Sequence, residues 1–225
     1  MALERIAERE PLFEIEVNPY PGLFIDIEGL DGSGSTTQMY RVAEDLRRKG
    51  LKVEITKEPT QGPIGSLIRM ALTNRFEVDR TTLQLLFVAD RFDHLETWIV
   101  PRLKEGTSII TDRYLWSTLA YAPAEDRDYL YRAHQHPRML LPDLTVFLKI
   151  PPKIALERIA KGRFSYELFE EEELLHKTWE QYEEIARYFP ENIRIIDGME
   201  NEYVVTTGIM IQVKSLPKFK ALTQK

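Results

Sequence analysis

The stretch FIDIEGLDGSGSTTQ, Phe24–Gln38, decides the fold. An apolar run, Leu23 to Glu28, reads as a buried strand and leads into three glycines, Gly29, Gly32 and Gly34. An amphipathic stretch, Thr36 to Lys49, follows, with Met39, Val42, Ala43 and Leu46 on one helical face. Glycines let the backbone curl so that its N–H groups converge on one anion, and the N-terminus of the next helix adds a favourable dipole. The spacing fits the phosphate-loop pattern G-x-x-x-x-G-K followed by Ser or Thr, through Gly29, Gly34 and Thr36, except that Ser35 stands where lysine is expected. A glycine-rich turn without a ligand is the plainer alternative. A strand before and a helix after favour phosphate, held by Gly29, Asp31, Gly32, Ser33, Gly34, Ser35, Thr36 and Thr37.

The missing charge has chemical weight. That lysine bridges the β- and γ-phosphates and helps neutralise charge as a phosphoryl group moves. A serine retains a hydrogen-bond donor but no positive charge, while Thr36 can still ligate Mg²⁺ through its hydroxyl. Nucleotide binding is therefore expected to survive this replacement better than turnover.

Outward from the loop, short apolar runs alternate with amphipathic stretches, the pattern of an α/β fold with a parallel sheet flanked by helices. Five strands are expected: Leu23 to Glu28, Leu51 to Ile55, Ser108 to Asp112, Leu144 to Ile150 and Ile193 to Asp197. Helices are expected over Thr36 to Lys49, Ile64 to Leu72, Thr81 to Glu105 with a bend at Pro101, Ile154 to Ala160, Glu170 to Tyr188 and Tyr203 to Val213. The Val-Val-Thr-Thr content of the last argues weakly for helix. Residues 1–22 read as an N-terminal extension, 23–213 as the domain, and 214–225 as a mobile tail.

With 225 residues and 26.3 kDa, the chain is expected to bury about 70% of its unfolded surface, enough for one core. It has no cysteine, which removes disulfides, thiolate nucleophiles and cysteine zinc sites. Thirty basic against 36 acidic residues give a net charge of −6, the wrong balance for a general nucleic-acid binder. No apolar run is long enough to span a bilayer, and the mixed-charge N-terminus lacks a signal-peptide core, so a cytoplasmic protein is expected. His134 and His136 precede a proline in an expected loop; without zinc spacing they receive no role.

Several separated segments, in order, resemble the thymidylate (dTMP) kinase family of P-loop nucleoside monophosphate kinases over about residues 23–198. IEGLDGSGSTTQ resembles the family's FEGIDGxGKTTQ, and KEPTQGPIGSLIR a compressed EPGGTPxGxxIR. LLFVADRFDH, TDRYLWSTLAY and LPDLTVFLKIPPKIALERI are similar to LLFxADRxxH, CDRYxxSxxAY and the family's later PDLT segment. The resemblance implies a P-loop NTPase fold with a five-stranded parallel sheet, a short lid at about 158–168, and transfer from ATP to dTMP. It also implies Mg²⁺ and a homodimer to which Leu85, Leu86 and Trp98 contribute, while the charge balance and the lack of long apolar runs predict no nucleic-acid or membrane partner.

Residue by residue, it implies that Phe87 stacks on thymine and Arg91 bonds its carbonyl edge, where the residues alone suggest core packing and an ion pair with Asp90 or Asp93. Arg113 would grip the acceptor phosphate, Asp112 would sit with Thr36 at the metal, and Asp31 would reach the acceptor's sugar or phosphate. Arg69 would approach the substrate, with Glu58 supporting Mg²⁺ or the arginines. Ser117, Thr118 and Tyr121 would line base and deoxyribose, Tyr121 disfavouring a 2′-hydroxyl. Ala122 stands where many members have glutamine. Arg158 would join the ATP site, with Lys161 and Arg163 as lid cations partly replacing the charge lost at Ser35. The alternatives are a nucleotide-binding homologue without catalysis, suggested by Ser35, and a kinase for another monophosphate such as dUMP, suggested by Ala122 and the altered 61–65 loop.

Overall fold

The computed structural model describes residues 14–162, 172–191 and 193–224. Among these, all five expected strands form within two residues of the expected bounds: β2 Phe24–Gly29, β3 Val53–Lys57, β4 Ser108–Asp112, β6 Leu144–Lys149 and β7 Ile193–Asp197. They make one parallel sheet in the order β3-β4-β2-β6-β7, so the phosphate-loop strand is central. Every residue of β2 is buried, which explains its apolar sequence apart from Asp26 and Glu28.

Alternation along the strands divides the core into two layers. Ile25, Ile27, Ile110, Val146 and Leu148 face helix α1, Ser35–Arg48, whose Met39, Val42, Ala43 and Leu46 pack as the sequence expects. On the opposite face Phe24, Ile109 and Phe147 pack against Tyr114, Trp116, Leu119 and Tyr182. The helix Pro63–Leu72 forms as expected. The helix expected over Thr81 to Glu105 runs as Arg80–His94, a wider π-turn Leu95–Ile99, and Val100–Lys104. The irregular turn stands just before Pro101, whose missing N–H interrupts regular pairing there.

Two segments differ from expectation, and one helix expected against its composition forms. Two-residue strands β1, Glu16–Val17, and β5, Leu140–Leu141, pair in parallel and tie the extension before residue 23 to the domain. The helix Glu202–Ser215 forms despite its β-branched residues, because Asn201 caps it and Val205, Ile209, Met210 and Val213 are buried on the sheet. The segment from Lys214 is no loose tail: Pro217–Thr223 is helical, Phe219 is buried, and the Lys218 ammonium lies 2.6 Å from Asp143. Of the lid, residues 163–168 lie outside the described residues, as do 1–13 of the extension.

Candidate active site

Beyond the carboxyl ends of β2, β4 and β3 lies a cavity of about 640 Å³. Ligands in open parallel sheets bind in this position. Its lining includes Asp31 to Gln38 of the phosphate loop together with Arg69, Phe87, Arg91, Ser117, Thr118 and Tyr121, and with Lys57, Glu58, Asp112, Arg113 and Arg158. Gly29 is not in the lining. A Cβ there would meet the Ser33 Oγ at 2.6 Å, so its smallness serves the packing of the loop on itself.

Gly32 and Gly34 have φ of 80° and 95°, the left-handed region where side chains are disfavoured. Gly34 is the N-cap of α1, and no side chain caps that helix. The first N–H groups of α1 therefore face the cavity without a side-chain cap, as an anion requires. Ser35 is buried at the start of that helix.

The Thr36 hydroxyl donates to Asp112 Oδ2, while Asp112 Oδ1 is buried and without a hydrogen-bond partner. A hydroxyl and a carboxylate with spare acceptor capacity are hard oxygen ligands of the kind Mg²⁺ takes together with phosphate oxygens. No cluster of three or more His, Asp or Glu positioned for a metal occurs among the described residues.

Arg113 has φ of 74°, rare for a residue with a side chain. Its Nη2 meets Asp31 Oδ1 at 2.8 Å and its Nη1 meets Ser117 Oγ at 3.2 Å. Its backbone N–H donates to the Ile27 carbonyl at 3.0 Å and its carbonyl accepts from the Thr111 hydroxyl at 2.9 Å, and the residues that follow it are held by Glu28, a fully buried carboxylate at the end of β2. Glu28 accepts from the Tyr114 and Ser117 N–H groups at 3.0 Å, the Ser117 hydroxyl at 2.5 Å and the Tyr182 hydroxyl at 2.8 Å. Burial pushes its carboxyl above the usual range, against the Ser117 bond and the Arg113 charge.

Arg91 is neither an ordinary salt bridge on its own helix nor an exposed hook. Its guanidinium is 1% exposed and pairs with Glu58 at 2.6 Å; Asp90 instead accepts from the Thr60 N–H and hydroxyl. Arg91 also donates to Thr118 Oγ1 at 2.9 Å and the Tyr114 carbonyl at 2.7 Å. His134, in helix Arg127–His134 rather than a loop, completes the set with Nε2 at 2.7 Å from Arg91 Nη1. Its Nδ1 lies 2.7 Å from the Leu130 carbonyl, which fixes Nδ1 as donor and Nε2 as acceptor. Burial, reinforced by Arg91, drops the His134 pKa to about 3, so the ring is neutral at ordinary pH.

Arg69 bonds the Pro59 and Thr60 carbonyls and Ser66 Oγ, so it braces the 58–62 loop while lining the cavity. Arg158 reaches the Gly32 and Ser33 carbonyls and Gly198, joining the phosphate loop to the turn after β7. Lys161 is exposed and not in the cavity lining, and Arg163 lies outside the described residues. Sequence reasoning missed Glu28 and His134. The strand position of Glu28 offered one signal, a charged residue inside a buried run; His134 offered none, because its partner is 43 residues away.

Against known proteins, the thymidylate kinase family model matches residues 27–209. A probable thymidylate kinase of Pyrococcus horikoshii is 36% identical over 198 residues, covering 86% of this chain and 96% of that protein. The thymidylate kinase of Desulfotalea psychrophila is 35% identical over 199 residues, covering 88% and 97%. The solved structure of thymidylate kinase from Candida albicans aligns with a TM-score of 0.75 at 28% identity, over 88% of this chain and 93% of that one. The matched span takes in the phosphate loop and the Asp112-Arg113 strand end, and this chain is a member of the thymidylate kinase family of P-loop phosphotransferases.

Proposed function

We propose that the chain transfers the γ-phosphoryl group of ATP to dTMP, giving dTDP and ADP, with a chemical step slowed by Ser35. The observation that carries this reading is the single cavity that joins a phosphate loop with an uncapped helix N-terminus to the Phe87, Thr118 and Tyr121 cluster. The first end suits the donor's phosphates and the second a flat base on a deoxyribose. Arg113, paired with Asp31 in the same lining, would receive the acceptor phosphate.

The acceptor's nucleophile is already a phosphate oxygen, so no strong base is needed and catalysis reduces to positioning and charge neutralisation. Arg113 would orient the acceptor phosphate, and Asp31 would hold the Arg113 fork. Thr36 and Asp112 would hold Mg²⁺, which supplies Lewis-acid neutralisation of phosphate charge when bound. Phe87 would stack on the base. Arg91, pinned by Glu58 and His134, would fix Thr118 at the base edge and offer that edge whatever donor capacity remains. Lys161 and Arg163 would approach from the lid as it closes over the donor. A homodimer would cover half-buried Leu85, Leu86 and Trp98 with exposed Leu67 and Met70 of the adjoining helix. Action on free nucleotides fits a cytoplasmic enzyme.

Ser35 favours one second reading, a nucleotide-binding homologue without turnover. One coupled assay with ATP, Mg²⁺ and a panel of monophosphates separates the readings. dTMP-dependent ADP formation exceeding that with dUMP is expected. No ADP with any acceptor, alongside measurable ATP binding, would establish the second reading, and a preference for dUMP would move the substrate.

A further inference from the structure

We infer that Lys57, at the end of edge strand β3, supplies the donor-phosphate charge that Ser35 does not. Five cations line the cavity: Lys57, Arg69, Arg91, Arg113 and Arg158. Four are committed: Arg69 to loop carbonyls, Arg91 to Glu58, Arg113 to Asp31, and Arg158 to the Gly32 and Gly198 carbonyls. Lys57 is exposed, and its ammonium has no hydrogen-bond or ion-pair partner among the described residues.

Strand register places it on the required side. Lys57 pairs with Asp112, and Asp112 with Ile27, so the three form one row across β3, β4 and β2. Paired residues in parallel strands share a face, and neighbouring strands are about 4.8 Å apart. Ile27 packs in the α1-facing core, Asp112 accepts from Thr36 of α1, and Ile55, two residues before Lys57, packs in the same layer. Lys57 is therefore on the α1 face, one strand beyond the carboxylate that holds Thr36. Its flexible four-carbon stem can carry a point charge toward phosphates seated on the loop, the way a P-loop lysine acts. Among the described lid residues, Arg158 lines the cavity but is engaged by the Gly32 and Gly198 carbonyls, and Lys161 does not line it.

This inference rests on the phosphotransferase reading, and its test separates the two. Lys57→Ala and Lys57→Arg are made in the natural chain and in a Ser35→Lys background. ATP affinity is measured by calorimetry and phosphoryl transfer by single-turnover quench. Lys57→Ala should weaken ATP binding and slow transfer about tenfold, the loss expected for one charge-assisted contact, and Lys57→Arg should retain most of both. In the Ser35→Lys background Lys57→Ala should cost less than about twofold, because the two ammonium groups serve the same phosphates. Equal losses in both backgrounds, or no loss in either, overturn the inference. So does finding this interdependence with Ser35→Lys in a Lys161→Ala/Arg163→Ala variant instead. Should the natural chain transfer no phosphoryl group at all, the phosphotransferase reading fails, and the affinity measurements still decide the role of Lys57.

Discussion

Replacing Glu28 by glutamine tests whether a buried carboxylate sets the position of Arg113. Glu28 takes four bonds, two from backbone N–H groups and two from the hydroxyls of Ser117 and Tyr182. Glutamine matches the shape, and its carbonyl can still accept from the Tyr114 and Ser117 N–H groups. Its NH₂ group, however, faces two hydroxyls that now point their protons at it, and both must turn. Bonds to a charged acceptor are worth about 1.5–3 kcal/mol and neutral ones about 0.5–1.5 kcal/mol, so two weakened bonds lose about 2–3 kcal/mol. A neutral amide avoids the cost of burying a charge, which offsets part of this and leaves a net destabilisation of about 1–2 kcal/mol. The same loosening releases Arg113, whose left-handed backbone costs about 1–2 kcal/mol and relaxes once its anchor weakens. A shift of about 1.4 kcal/mol in that local equilibrium is tenfold in the competent population, so kcat/KM for dTMP should fall about tenfold or more. ATP affinity, set at the phosphate loop, should be unchanged. Steady-state kinetics with dTMP, ATP titration and thermal unfolding on the same samples give the comparison. Glu28→Gln with kcat/KM within twofold of the natural chain and an intact fold would refute the positioning argument. An equal loss of ATP affinity would show general damage instead.

Three further outcomes are expected. His134 has its pKa lowered to about 3, so the folded state binds fewer protons than the unfolded one and loses stability as pH falls from about 6.5 toward 3. His134→Gln, which keeps an acceptor for Arg91, should flatten that acid limb in denaturant titrations, and an unchanged slope would contradict the neutral buried ring. Asp26 shows the opposite sign: burial, then the neighbouring Glu28 charge, raises its pKa well above the usual carboxylate range, and Oδ1 has no partner. Its stability cost therefore appears as pH rises from about 4 through the raised value, and Asp26→Asn should stabilise the protein at pH 7 by about 1 kcal/mol or more; destabilisation at that pH would count against it. Finally, Phe87→Ala should raise KM for dTMP about tenfold by removing a ring from the cavity wall, as aromatic stacking predicts; an unchanged KM would remove Phe87 from the base site.

Local patterns carry much of the fold because they report local physics. The apolar run before Gly29, the glycines of positive φ and the amphipathic α1 each follow from burial or backbone freedom within a few residues. The four other strands of the sheet were legible for the same reason. The missing lysine at position 35 was equally plain, since a motif is a statement about neighbours in the chain.

Partnerships across the fold were not legible. Arg91 could be placed in a cleft, but its choice of Glu58 and His134 over Asp90 and Asp93 depends on where β3 ends and where helix Arg127–His134 packs. The left-handed backbone of Arg113 is bonded to Ile27 and Thr111 on two neighbouring strands, and the Tyr114 N–H after it is held by Glu28, which Tyr182 reaches from beyond the lid. The segment after Lys214 looked loose because its charges suggest solvent, yet Asp143 and a buried Phe219 fasten it. The sequence alone determined the phosphate loop, the parallel sheet and the one absent charge, since each is set by residues adjacent in the chain. Only the tertiary structure decided which cation of the cavity is left unpaired among the described residues, because commitment of an arginine or lysine is settled by the nearest carboxylate or carbonyl in space.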